Sequence, residues 1–399
     1  MVNIRELETP CYIINSEDYE KNITEFKTEF EKYWGPKLKF GYSVKTNNFP
    51  YMLKAAMEHG FYAEVVSPDE YAFALRCGCS EDRIIYNGPQ KRDSVFSALK
   101  NGAIVNLDSV GEVLHVCRHF SGKAPKNLTV GLRVNYDLEA ECPGETTCKG
   151  IPGRFGICLE NGDFDSALLQ LKNAGLSLSG IHMHQSSSSR SLNIFRSIAR
   201  KAVEIGRKYD LEDIAYIDIG GGFFGGKFFP GKPSFAEYAE VICSELKKFY
   251  SPEKTTLIIE PGAAILATSM DYLCSVLNIR QIRDQRIVTL DGSLLHINPF
   301  MNPHPTPFTM IDPSTKTGSN QVIPEEQIIA GSTCMELDRF WPRDMHEPAD
   351  IGSKFLFHAC GAYMSTHNSC FINAAPNIYL FKNREYTLLR KKSIDCLFL

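Results

Sequence analysis

The sequence predicts an α/β fold: a (β/α)8 TIM-like barrel plus a mainly-β C-terminal domain that includes the N-terminal strand. Three observations predict it. Short β-branched and aromatic runs alternate with amphipathic stretches over more than half of the 399 residues. About eight such strand-plus-helix units occur, each too short to stand alone, which favours closure into a barrel over an open sheet. After Glu260 the rhythm changes to strand-like stretches and Pro-rich turns with few long helical patterns.

The elements follow in order. A short strand at 11–14 precedes the barrel and belongs with the β domain. Barrel strands are predicted near 38–43, 61–65, 83–86, 103–107, 128–134, 178–184, 215–219 and 256–260, where apolar and β-branched residues cluster. Helices are predicted at 51–59, 69–76, 94–101, 109–119, 164–173, 192–209 and 234–249. The 109–119 segment opens on an Asp-Ser pair suited to N-capping. Further strands are expected near 272–279, 286–290, 327–330, 355–357 and 377–380, and the cluster Asn302-Pro-His-Pro-Thr-Pro307 reads as a loop. The expected division is a barrel over 26–268 and a β-rich domain from 1–25 and 269–399.

Composition narrows the function classes. A net charge of -4 gives no electrostatic reason for a nucleic acid or an anionic membrane as partner. No apolar run approaches the length that spans a bilayer, and the acidic N-terminus lacks a signal peptide's apolar core. The 13 cysteines are scattered. Cys77 and Cys79 are too close for a zinc knuckle, and Cys142 and Cys148 have no matching second pair. Reduced thiols in a cytoplasmic protein, without a metal, are the expectation.

In a βα barrel, chemistry sits at the C-terminal ends of the strands. Lys45 follows the first barrel strand, His182 and His184 close the sixth, Gly220-Gly-Gly222-Phe-Phe-Gly225 follows the seventh, and Glu260 closes the eighth. Four chemically distinctive sites therefore point at one mouth. The glycine run matches a dinucleotide fingerprint, but it lies past residue 210 and is followed by Lys-Phe-Phe-Pro rather than a helix. The alternative is a phosphate approached closely by bare backbone amides. Alone, a strand-end lysine is usually a solvated residue and a strand-end histidine a structural one. Together, a lysine amine, a phosphate cradle and a carboxylate describe the demands of pyridoxal 5'-phosphate (PLP).

On these residues the chain resembles the fold-type III PLP-dependent decarboxylases, which include the ornithine/arginine, diaminopimelate and carboxynorspermidine enzymes and share their barrel with alanine racemases. The resemblance runs from about Thr9 to the C-terminal Arg-Lys-Lys-Ser-Ile-Asp stretch. Lys45 in Tyr-Ser-Val-Lys matches the Schiff-base lysine, and His182-Met-His184-Gln-Ser-Ser187 matches His-x-His-x-x-Ser. The resemblance thus implies ring stacking by His184 and phosphate contact by Ser187. Asp218-Ile-Gly-Gly221-Gly222-Phe matches the glycine loop, and Glu260-Pro-Gly the acid at the pyridine nitrogen. Gly331-Ser-Thr-Cys334 resembles Gly-Pro-x-Cys, whose cysteine serves the partner subunit as proton donor; a small buried hydrophobe is its bland alternative. Cys360-Gly-Ala-Tyr363 resembles the stretch whose tyrosine touches the phosphate, and Arg133 and Arg154 sit where the family keeps basic residues.

These matches imply an amino-acid decarboxylase acting as a homodimer with shared sites. A carboxylate at the pyridine nitrogen keeps it protonated and makes the ring a strong electron sink, which favours loss of CO2. Racemases of this barrel class place an arginine there. Two departures bear on substrate. Ala263 stands where the family commonly has an arginine, and Met335, with Glu336 next, where an acid usually follows the cysteine. Asp291 in Leu-Asp-Gly occupies the position of the ornithine enzymes' amine-reading aspartate. The expected substrate is therefore an extended amino acid, such as a carboxynorspermidine-like polyamine or one attached to a siderophore, peptide or nucleotide. The rivals are a free-diamino-acid decarboxylase, a racemase and a non-catalytic PLP-binding homologue.

Overall fold

The computed structural model describes residues 3–397 except 123–127, 129, 226–230, 303–304, 313–326, 341–347, 365 and 368–369. The described residues divide into two compact units, one of Met1–Asn22 and Ile265–Leu399, the other of Ile23–Gly225 and Gly231–Ala264. Parts of the Pro-rich 302–307 cluster and the Lys-Phe-Phe-Pro segment after the glycines lie outside the described residues.

The larger unit is a closed parallel barrel. Numbered in chain order after β1 (Cys11–Asn15), its strands are β2 (Leu38–Ser43), β3 (Tyr62–Val65), β4 (Ile84–Tyr86), β5 (Ile104–Leu107), β6 (Val130–Asn135), β8 (Leu178–His182), β9 (Tyr216–Asp218) and β10 (Thr256–Ile259); β7 (Ile157–Cys158) is a two-residue addition beside β6. Each pairs with the next in parallel, and β10 pairs with β2 to close the ring. These strands are almost wholly buried, as expected where helices cover a parallel sheet from outside. Ile85, Ile104, Tyr216 and Ile258 pack together as one core cluster.

Most connecting helices begin just after a strand's C-terminal end, and their first turns are fixed locally. Ser67, Ser109, Ser191 and Ser234 each accept a hydrogen bond from a backbone N–H in the first turn of the helix that follows. The predicted cap at 109 is thus Ser109, on helix Val110–Phe120. Helix Ser16–Trp34, which the sequence reading omitted, presents Phe26 and Phe30 to Phe40 and Phe223. The sixth barrel strand ends at His182 rather than His184, because the chain turns away once Met183 N has bonded the Asp218 carbonyl.

The other unit is mainly β. Its sheet runs β13 (Phe308–Ile311), β15 (Lys354–Phe357), β11 (Met270–Ile282), β1, β16 (Asn377–Lys382), β17 (Glu385–Arg390), while β12 (Gln285–Leu290) pairs with β11 and with β14 (Gln327–Ala330). The N-terminal strand β1 lies between β11 and β16, antiparallel to the first and parallel to the second. That placement gives the short strand a partner on both edges. No helix among the described residues is long and apolar enough to cross a membrane.

Candidate active site

Barrel closure brings Lys45, His182, His184, Gly220–Gly222 and Glu260 to the C-terminal ends of neighbouring strands β2, β8, β9 and β10. Lys45 sits in the turn after β2 and forms an ion pair with Glu64, whose carboxylate on β3 is fully buried. Glu64 also accepts from Ser43 Oγ at 2.7 Å and from Asn87 Nδ2 at 3.1 Å. Burial pushes the Glu64 carboxyl upward, but Lys45, Ser43 and Asn87 carry it below the usual range.

Glu260 is buried immediately after β10, and Asn87 Nδ2 donates to its Oε1 at 2.6 Å. Burial and the neighbouring Asp218 and Glu64 charges raise its pKa well above the ordinary carboxylate value. Asp218 is raised to about 7, chiefly by burial. His182 Nδ1 lies 2.8 Å from Asp218 Oδ2, without the angle of a hydrogen bond. Burial drops the His182 pKa to about 4, so the imidazole is neutral at pH 7. The polar atoms of His182, Asp218 and Glu260 lie within 4.8 Å of one another. Burial and the neighbouring carboxyl groups make this an acid cluster of raised proton affinity, to whose oxygens Asn87, Asn106 and the Gly220 amide donate.

The glycine turn after β9 leaves no room for a side chain at its first two positions. A Cβ at Gly220 would overlap the His184 side chain and one at Gly221 the Glu260 carbonyl; Gly220 has φ +75°. Gly221 N donates to His184 Nδ1 at 3.3 Å, holding the imidazole beside the glycine turn, and burial with the Arg133 charge keeps that ring neutral. Arg133 bonds Asp108 at 3.2 Å and the His184 carbonyl, and lies over the Phe155 ring, as Arg154 does from 4.0 Å. Ser187 Oγ donates to the Glu145 carbonyl and accepts from Arg190 N. Glu145's carboxylate collects Ser189, Ser191 and Asn193, so one residue straps the serine loop. An amine, a buried protonated acid and a glycine-serine cradle therefore fit PLP.

The remaining predicted residues divide between the two units. Ala263 sits half-buried in the short helix Gly262–Leu266 that follows Glu260. Cys334, Asp291, Met335, Glu336 and Tyr363 belong to the β unit. Cys334 is exposed, on a loop pinned by Asp338, which accepts from Thr333 N and Oγ1 and from Leu294 N. Its exposure argues against the buried-hydrophobe alternative. Met335 is half-buried, and Glu336 is exposed and pairs with Arg339 at 3.1 Å. Asp291 accepts from Thr9 Oγ1 and Ser275 N, so each carboxylate oxygen already has a donor within the unit. Tyr363 is half-buried with φ +66°.

Sequence reasoning missed Glu64, Asn87, Asn106 and Glu145. The first three carried a signal: a polar residue inside or directly after an apolar strand run, in Tyr-Ala-Glu-Val, Ile-Ile-Tyr-Asn and Ile-Val-Asn-Leu. Glu145 carried none, since its role depends on where a long loop returns.

A parallel barrel with a strand-end lysine, a buried acid and an anion cradle at one mouth defines a class, the barrel enzymes that hold PLP on a lysine. The family model described as "Pyridoxal-dependent decarboxylase, pyridoxal binding domain" matches residues 17–267, and the chain belongs to that family. It is 26% identical to the diaminopimelate decarboxylase of Aquifex aeolicus, covering 98% of this chain and 92% of the relative. It is 25% identical to the L-glutamyl-[BtrI acyl-carrier protein] decarboxylase of Niallia circulans, covering 97% and 91%. The solved diaminopimelate decarboxylase of Helicobacter pylori, complexed with L-lysine, superposes with a TM-score of 0.81 at 22% identity over 98% of this chain and 96% of that one. The protein is a PLP-dependent carboxy-lyase.

Proposed function

We propose that this decarboxylase acts on an extended or conjugated amino acid, with Lys45 holding the cofactor and Cys334 of a partner subunit protonating the product. The observation that carries the site assignment is the Lys45–Glu64–Asn87–Glu260 chain of contacts at the barrel mouth. When bound, PLP supplies the electron sink that makes loss of CO2 feasible. Glu260, whose proton affinity burial raises, would stand at the ring nitrogen as the acid that shares its proton. His184, kept neutral, stacks on the ring without adding charge to it. Ser187, Gly221 and Gly222 would hold the phosphate, and Arg133 supplies a positive charge beside the stacking histidine. Cys334 is exposed on a pinned loop, as a donor reaching into a neighbouring subunit's site needs to be. The working form is a homodimer.

For substrate, support comes from what is missing. Ala263 has no charge to offer an anionic distal group, Met335 none for an amine, and both oxygens of Asp291 are engaged within its own unit. A relative at 25% identity is named for an acyl-carrier-protein-bound glutamate, which supports a conjugated substrate.

The test is CO2 release across two panels, free diamino acids and amino acids carrying an aminopropyl, peptidyl or thioester-linked extension. Turnover confined to the second panel supports the proposal, and efficient turnover of the first overturns its substrate part. In parallel, borohydride reduction and peptide mapping must place the cofactor on Lys45; label on another lysine overturns the assignment.

A further inference from the structure

Three buried carboxyl groups crowd the barrel interior, on Glu64, Asp218 and Glu260, and two carboxamides thread between them. Asn87 Nδ2 donates to both Glu64 Oε1, at 3.1 Å, and Glu260 Oε1, at 2.6 Å. Asn87 Oδ1 accepts from Asn106 Nδ2 at 2.8 Å, and the same nitrogen reaches Asp218 Oδ2 at 3.2 Å. Asn106 Oδ1 accepts from the Tyr216 hydroxyl at 2.8 Å. The five residues Glu64, Asn87, Asn106, Asp218 and Glu260 and the tyrosine are each at most 4% exposed.

The direction of this chain is fixed by its ends. Tyr216 presents a proton to Asn106, so Asn106 turns its oxygen to the tyrosine and its amide nitrogen to Asp218 and Asn87. Asn87 must then turn its oxygen to Asn106 and its nitrogen to the two glutamates. A reversed Asn87 would set its oxygen against both carboxyl groups, an arrangement whose cost at this burial is severe. The backbone makes room for the chain: a Cβ at Gly131 would overlap the Tyr216 hydroxyl and Asn106 Oδ1, and one at Gly180 would overlap the Tyr216 ring. Two strand glycines therefore allow a tyrosine to lie across the barrel and set the polarity of an amide relay. A barrel packed only for stability would fill those positions with apolar side chains.

We propose that Asn87 is a positioning residue for decarboxylation: its amide stabilises the ionised form of Glu260, and so favours the proton on the cofactor's ring nitrogen rather than on the acid, while holding Glu64 on Lys45. The proposal rests on Glu260 being the acid at the ring nitrogen. A donor to a carboxylate lowers its proton affinity, so the pair of carboxylate and protonated ring gains over the pair of acid and neutral ring. Removing the donor shifts the proton back to Glu260 and weakens the electron sink. Because the amide touches neither substrate nor cofactor, binding is spared.

The experiment uses the PLP-loaded protein carrying 15N in the cofactor ring. Its readout is the ring-nitrogen chemical shift, which distinguishes protonated from neutral nitrogen, alongside kcat, KM and PLP affinity. Asn87→Leu is expected to move the shift toward neutral pyridine and lower kcat by about tenfold with KM within about twofold. Tyr216→Phe, which deletes only the hydroxyl at the far end, moves the shift the same way by less and serves if Asn87→Leu does not fold. Glu260→Gln is the reference. If it shifts the resonance and folded Asn87→Leu, or Tyr216→Phe in its place, does not, the positioning role is overturned. If Glu260→Gln itself leaves the resonance unchanged, the Glu260 assignment fails and takes the proposal with it.

Discussion

Lys45 and Glu64 form an ion pair across adjacent barrel strands in which the carboxylate is wholly buried and the amine side chain is 38% exposed. The asymmetry has consequences. Lys45 can leave the pair to meet solvent or a ligand; Glu64 cannot leave. Lys45→Met therefore strands a buried carboxylate. Breaking a buried pair by removing one partner costs about 3–5 kcal/mol, and the exposure of this amine brings the expected loss nearer ~2 kcal/mol. The loss should be largest at pH 8 and shrink toward pH 5, as Glu64 takes up a proton, and Glu64→Gln should relieve it. Urea unfolding of the four cofactor-free proteins measures this, and equal losses at both pH values would contradict it.

The acid cluster sets a second pH dependence in the cofactor-free protein. Asp218 and Glu70 are both raised to about 7, largely by burial. A raised carboxyl contributes stability that is present below its unfolded pKa and lost as pH rises through the folded one. His182 and His296, both lowered to about 4, act oppositely, and stability is lost as pH falls below their unfolded pKa. The two effects oppose each other up to about pH 6.5, the unperturbed histidine value, and above it only the acids titrate. Stability should thus change little below about pH 6.5 and fall from there toward pH 8. Asp218→Asn should flatten that fall, with urea midpoints from pH 6 to 8.5 as the measurement.

Glu145 ties Ser189, Ser191 and Asn193 with its carboxylate and Ser187 and Ser188 with its carbonyl. Glu145→Ala keeps the carbonyl and deletes the clamp. The serine loop then pays its own ordering cost when phosphate binds. PLP affinity should fall by about three- to tenfold, the worth of roughly one net hydrogen bond. Fluorescence titration of the cofactor-free protein measures it. Unchanged affinity would mean that the loop is ordered by its backbone alone.

The barrel was legible because its evidence is local. Each strand is a short apolar run, four of the loops end on a serine cap, and Lys45, His184, the glycines and Glu260 fall where strands end. The N-terminal strand was legible as a strand of the β domain, but its place between β11 and β16 is not written in its five residues. What escaped was relational. Asn87 and Asn106 are ordinary polar residues until strand order sets them side by side, and Tyr216 reads as an apolar strand residue until Gly131 and Gly180 admit it to the interior. Helix Ser16–Trp34 escaped because its apolar face of Ile23, Phe26 and Phe30 is diluted by charge, although Asn15, whose Oδ1 accepts from Asp18 N, offers a cap.

If Cys334 serves its partner's site, two defective chains can repair each other. A Lys45→Ala chain and a Cys334→Ala chain, mixed equally and allowed to exchange, give heterodimers in which one site has both groups intact. Recovery should reach about a quarter of wild-type sites, as a two-fold dimer with shared sites requires. No recovery after mass spectrometry has confirmed exchange would place both residues in one chain's site.

The substrate prediction follows from charges that the chain lacks. A free diamino acid with a second carboxylate needs its far end gripped, and a buried charge-assisted contact is worth roughly 1.5–3 kcal/mol, about ten- to a hundredfold in affinity. Ala263 and Met335 supply neither such contact. Glu336 is exposed and paired with Arg339, and Asp291 is engaged by Thr9 and Ser275, so neither replaces them without giving up a present partner. A conjugated or aminopropyl-extended amino acid should therefore be preferred over ornithine, lysine and meso-diaminopimelate by at least about tenfold in kcat/KM. Ala263→Arg should narrow that margin by improving the free dicarboxylate substrate, while Met335→Asp should improve a free diamine-bearing one. Competition assays with paired substrates measure both. Efficient use of free diaminopimelate by the unaltered enzyme, unaffected by either substitution, would mean that the distal grip is built from residues other than these positions.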